Sequence, residues 1–136
     1  MNSRKRAVAA GISLLIYAAI FLLSSLPARS LPSGIPDIVP HILEFAALAF
    51  FLIQVFPGPA RPPALAMAFI LAAILGMLDE WHQLSVPGRV FSLLDWGYDL
   101  AGGLAGLAAF RFLADRPARG AEGRIRRWGR VFLLRR

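Results

Sequence analysis

A chain of 136 residues has room for one compact domain. Its 57% hydrophobic content and mean hydropathy of +0.61 exceed what a domain of this size hides from water, so lipid is the expected solvent. The net charge of +7 gathers at the ends of apolar runs and in a basic tail, which argues against a nucleic-acid binder, and the lack of cysteine excludes disulfides, thiol catalysis and cysteine metal sites.

Four apolar runs follow in chain order. The first, residues 7–26, carries no charge and is long enough to span about 30 Å, the thickness of a bilayer core. Arg4-Lys5-Arg6 precedes it. It is longer than a signal-peptide apolar region, and Leu26-Pro27-Ala28 makes a poor cleavage site, so it is read as a membrane span. The second run, 41–56, is short and opens with His41 and Glu44. The third, 62–80, starts at Pro62-Pro63, where proline is tolerated because the first N–H groups of a helix have no partner. The fourth, 92–113, carries Asp95 and Asp99. Pro-, Gly- and Ser-rich segments separate the runs.

The expected fold is therefore all-α: a polytopic membrane bundle of four transmembrane helices over residues 1–113, with a basic cytoplasmic tail over 114–136. Placing both the N- and C-termini in the cytoplasm puts thirteen of the fifteen basic residues inside and leaves only Arg29 and Arg89 outside, a strong positive-inside bias. In the tail, Ile125, Trp128 and Phe132 recur at helical spacing among arginines. That pattern fits an interfacial helix or a disordered basic tail equally well.

The acidic residues follow the opposite rule. In this topology Asp37, Glu44, Asp79, Glu80, Asp95 and Asp99 all map to the outer half. His41 and Glu44 stand at i, i+3 on the second helix; Asp95 and Asp99 stand at i, i+4 on the fourth. Ionisable groups inside a span are costly unless paired or wetted, so they are expected to face a shared interior or cavity. Arg89 is the outer-loop cation nearest these carboxylates. It could pair with Asp79, Glu80 or Asp95, or bind a ligand's phosphate. Gly102 and Gly106 form a Gly-x-x-x-Gly stripe, read as a close helix–helix contact. No nucleophile triad, phosphate loop or close-spaced metal motif is visible, so no metal and no cofactor are expected.

At these residues the chain resembles the VanZ-like family of small bacterial integral membrane proteins, over about residues 13–110. The matching pieces are Ser24-Ser25-Leu26-Pro27; Asp37 and His41 followed by Glu44-Phe45; and Asp79-Glu80-Trp81-His82-Gln83, Pro87-Gly88-Arg89 and Ser92-Leu93-Leu94-Asp95. The chain departs from that pattern at Ile38, where the family usually has lysine, and at Asp99, where it usually has asparagine; His82 is not part of the pattern. The resemblance implies a multi-pass protein of the bacterial cytoplasmic (inner) membrane with an outer polar site. The family is named for a protein associated with low-level resistance to the glycopeptide teicoplanin, and the resemblance supplies no reaction.

Two functions are expected from the polar residues. In the first, the outer site binds an anionic membrane lipid or lipid-linked cell-wall component, with Arg89, Gln83, Ser92 and Asp99 as ligand-binding residues and Arg89 on the phosphate. In the second, a membrane enzyme uses His41, Glu44, Glu80 and Asp95 for acid–base or metal-assisted chemistry on such a substrate. The ionisable residues stop short of the inner half, which counts against a transport path. Oligomeric state is not legible.

Overall fold

The computed structural model describes residues 2–27, 34 and 36–115. Arg29 and the basic tail beyond Asp115, with its candidate interfacial segment, lie outside the described residues.

Among the described residues four helices make up the fold: α1 (Ser3–Ser24), α2 (Ile38–Leu52, continued by a short 3-10 turn over Ile53–Val55), α3 (Pro62–Gln83) and α4 (Leu93–Ala114). No strand occurs among the described residues. Three helical segments, Ser3–Ser24, Ile38–Val55 and Pro62–Gln83, are long and apolar enough to cross a membrane.

Local sequence explains where the helices start. The Asn2 side chain accepts a hydrogen bond from Lys5 N at 3.0 Å, which carries α1 back over Arg4-Lys5-Arg6, ahead of the apolar run. Pro40 does not delay α2, because it falls in the first turn, where its missing N–H is not needed. Pro62 and Pro63 open α3 for the same reason. Ser92 caps α4 by accepting from Asp95 N at 3.1 Å, and the Asp95 charge lies in the first turn, on the favourable side of the helix dipole. At its far end α3 runs on to Gln83, past Glu80. That extra turn puts Gln83 on the same face as Asp79 and Glu80.

The starts of α1 and α3 meet the ends of α2 and α4. Arg6 Nε donates to Val55 O at 2.8 Å, and Arg111 Nη1 donates to Ala60 O at 3.4 Å. The basic residues Arg4, Lys5, Arg6, Arg61 and Arg111 thus share one end of the bundle, and the acidic residues of the helices share the other. Helices α2 and α4 consequently run parallel, and they form the most extensive helix pair. Glycine makes this possible. A Cβ on Gly102 would sit 2.5 Å from Ile42 O, and one on Gly106 would fall on the Ala46 carbonyl. The Gly-x-x-x-Gly stripe is the seam between the two helices.

Side chains follow an order inverted relative to a water-soluble protein. Leu14, Leu15, Leu22 and Leu104 are exposed, while Asp79, Glu80, Gln83 and Asp99 are buried. Ala49, Ala68, Ala72 and Leu107 pack between α2, α3 and α4, and Ile20, Phe45 and Leu48 join α1 to α2. Exposed leucine with buried carboxylate is the arrangement an apolar solvent favours.

Candidate polar site

At the acidic end each helix contributes polar groups. His41, near the start of α2, meets Asp99 on α4; its Nδ1 donates to Asp99 Oδ1 at 2.8 Å. Asp99 is 2% exposed, and its Oδ2 has no hydrogen-bond partner among the described residues. Gly76 on α3 leaves room for that oxygen, since a Cβ there would approach it to 2.8 Å.

Glu80 on α3 is wholly buried. Its Oε2 accepts from Ser92 N at 2.8 Å and its Oε1 takes a long bond from Gln83 Nε2 at 3.4 Å. Gln83 Nε2 also donates to Asp79 Oδ2 at 3.2 Å, and Asp79 Oδ1 accepts from Ser24 Oγ at 2.6 Å. A chain of bonds therefore runs from α1 through α3 to the start of α4. Ser92 is occupied on two sides, by Glu80 through its N–H and by the α4 cap through its hydroxyl. Trp96 Nε1 donates to Ala73 O at 3.0 Å and ties α4 to α3 again.

The three groups of widest chemical scope stand together. One ligand-type atom each from His41, Glu80 and Asp95 lies within 4.8 Å of the others. Glu44 is half-buried one turn deeper on α2, close enough to His41, Asp79, Asp99 and Arg89 to feel their charges. Asp37 is exposed at the mouth of α2. Arg89 lies in the connection between α3 and α4. Its Nε is buried without a partner, and its guanidinium forms no ion pair among the described residues. The pairing that sequence allowed with Asp79, Glu80 or Asp95 is not made: Asp79 and Glu80 take neutral donors instead.

Sequence reasoning missed the contribution of α1. Ser24 and Ser25 were visible only as part of a family-like string, and no local spacing rule connects residue 24 to residue 79. His82 was likewise left without a role. Its Nε2 lies 2.9 Å from Ser25 Oγ, and its ring stacks on Phe21 with centroids 4.1 Å apart. The Ser25 hydroxyl donates to Phe21 O at 2.6 Å, so its proton is already engaged and the Ser25–His82 contact is not an activated nucleophile.

A family model described as VanZ/LLP1 matches residues 10–114, which include every residue of this site. The chain belongs to the VanZ/LLP1 family. No curated protein and no solved structure matches it. In this VanZ-like membrane protein the family-like strings are the ones that build the polar end: Asp79, Glu80 and Gln83 form the buried hydrogen-bond chain, Arg89 flanks it, and Ser92 and Asp95 open α4. The departures have local meaning too. Asp99, in place of the usual asparagine, is the acceptor for His41. Ile38 is exposed, so the missing lysine would have stood at the surface.

Proposed function

We propose that this protein is a four-span membrane protein with both ends in the cytoplasm, and that its polar end, facing outward, binds the phosphate of an anionic lipid or lipid-linked cell-wall component. The observation that carries the binding reading is the Arg89 guanidinium, whose buried Nε is left unpartnered among the described residues. A buried, unpaired donor is costly, and a phosphate oxygen is an acceptor that matches a guanidinium. In this reading Gln83, Ser92 and Asp99 are the other ligand-binding residues. A role in the response to teicoplanin-type glycopeptides follows if the ligand is a cell-wall precursor.

Replacing Arg89 with alanine removes a charge-assisted hydrogen bond, so retention of phosphatidylglycerol or a polyprenyl pyrophosphate falls by about tenfold or more. Native mass spectrometry of the full chain in detergent reads this directly. Equal retention by wild type and Arg89→Ala removes Arg89 from the phosphate.

The fourth span rests on α4. Its 22 residues reach about 33 Å, its glycine seam and Asp99 face the bundle, and Leu93, Leu94, Leu104, Phe112 and Leu113 face outward. The natural lack of cysteine makes the topology simple to test. A single cysteine at exposed Ser85 reacts with a membrane-impermeant maleimide added to intact cells, and one at exposed Pro57 reacts only after permeabilisation. The reverse pattern inverts the topology, and labelling of both sites from outside breaks it.

A further inference from the structure

We propose that His41, Glu80 and Asp95 form a divalent-cation site of the Zn2+ or Mn2+ class, with Asp99 as the residue that positions His41. Three observations meet here. First, one atom from each of the three residues lies within 4.8 Å of the others. Ligands of a common Zn2+ at about 2.0–2.2 Å stand roughly 3–3.5 Å apart, so the widest separation needs to close by about 1.5 Å. Asp95 supplies the movement: it is half-buried, and its carboxylate accepts no hydrogen bond among the described residues.

Second, the imidazole is already oriented. Asp99 Oδ1 accepts from His41 Nδ1 at 2.8 Å, and with that hydrogen bond a neutral imidazole presents Nε2 as its lone-pair nitrogen. A carboxylate behind a histidine is the usual outer support of a metal-bound imidazole. Asp99 is 2% exposed and its Oδ2 is unpartnered, so a buried carboxylate whose one side-chain partner among the described residues is His41 stands behind the ring.

Third, the charges do not balance. Glu44, Asp79, Glu80, Asp95 and Asp99 gather at this end, and among the described residues the only ion pair any of them makes is Asp99 with His41. Buried charges are paired or bind metals. Glu80 is wholly buried yet receives only a backbone N–H and a long amide bond. A divalent cation between Glu80 and Asp95 would supply the missing positive charge. The nitrogen ligand favours Zn2+ over the oxygen-seeking Ca2+ and Mg2+, and two carboxylates beside one imidazole also suit Mn2+.

Three protein ligands leave a coordination position open. A phosphate oxygen would occupy it while Arg89 held another oxygen of the same group; this bridging role, unlike the metal site itself, rests on the phosphate reading above.

The test is titration calorimetry of the full chain in detergent with Zn2+ and with Mn2+, together with lipid retention on the same preparations. Wild type binds one ion per chain. Glu80→Gln keeps an acceptor for Ser92 N, Asp95→Asn keeps the shape of a half-buried side chain, and each weakens binding by about 100-fold. Asp99→Asn, acting through His41, weakens it by about 10–100-fold. Arg89→Ala binds the ion as tightly as wild type or more tightly, because a repelling charge is gone. Failure of wild type to bind either ion, or unchanged binding by Asp95→Asn and Glu80→Gln, overturns the metal site. Arg89-dependent lipid retention without metal binding refutes the metal and leaves the phosphate reading standing. Metal binding without Arg89-dependent retention does the reverse.

Discussion

Gly106→Leu abolishes the folded chain: the variant is lost or polydisperse on size exclusion in mild detergent. The first atom of the new side chain would land on the Ala46 carbonyl, which belongs to the backbone of α2 and cannot rotate away. The two parallel helices must separate instead, and separation draws His41 away from Asp99. Gly102→Ala is a milder form of the same insult, with its Cβ 2.5 Å from Ile42 O. Overpacking of this kind costs about 1–3 kcal/mol, while exchanging glycine for alanine inside a helix returns up to about 1 kcal/mol, so the packing cost wins. Gly97→Ala is the control. It lies on the same helix with nothing within 4 Å of the new Cβ, so it keeps or slightly raises the melting temperature. Identical melting of Gly106→Leu and wild type would mean that α2 and α4 do not approach at this seam.

The membrane-like helices were legible because apolar runs of bilayer length have few other uses in a chain this small. Their ends were less so. Apolar counting stops at a charge or a proline, but the helix does not: α1 continues over Arg4-Lys5-Arg6, α2 begins ahead of Pro40, and α3 gains the turn that carries Gln83. The polar contributions of α2 and α4 could be read from i, i+3 and i, i+4 spacing at helix ends, and that of α3 from the position of Asp79-Glu80 at the end of its apolar run. The α1 contribution could not, because Ser24 and Ser25 look like ordinary helix-end hydroxyls until α1 packs beside α3. The state of Arg89 was also hidden. Whether a loop arginine pairs with a carboxylate depends on the path of the α3–α4 connection, and here Ser92 N–H reaches Glu80. The close approach at Gly102 and Gly106, by contrast, is a statement about missing atoms, and the sequence pattern carries it without tertiary detail.

His41→Ala is expected to cost more than its size. Asp99 would remain buried with neither oxygen hydrogen-bonded, and leaving one partner of a buried pair alone costs about 3–5 kcal/mol. Asp99→Leu leaves a histidine N–H unmade on a ring that is partly accessible, a smaller loss of about 1–3 kcal/mol. Asp99→Asn keeps an acceptor for Nδ1, so it should melt close to wild type. The double variant His41→Ala/Asp99→Leu removes both polar partners. It should therefore be more stable than His41→Ala alone, and its cost should fall below the sum of the two single losses by up to about 3 kcal/mol. Thermal unfolding of the four proteins in one detergent measures this coupling. Strict additivity would mean that the 2.8 Å contact adds no stability of its own. Strong coupling with full rescue in the double variant would mean that the bundle folds without the pair. The protein would then be keeping an unsatisfied carboxylate beside an oriented imidazole at the expense of stability, which is expected of a pair retained for binding.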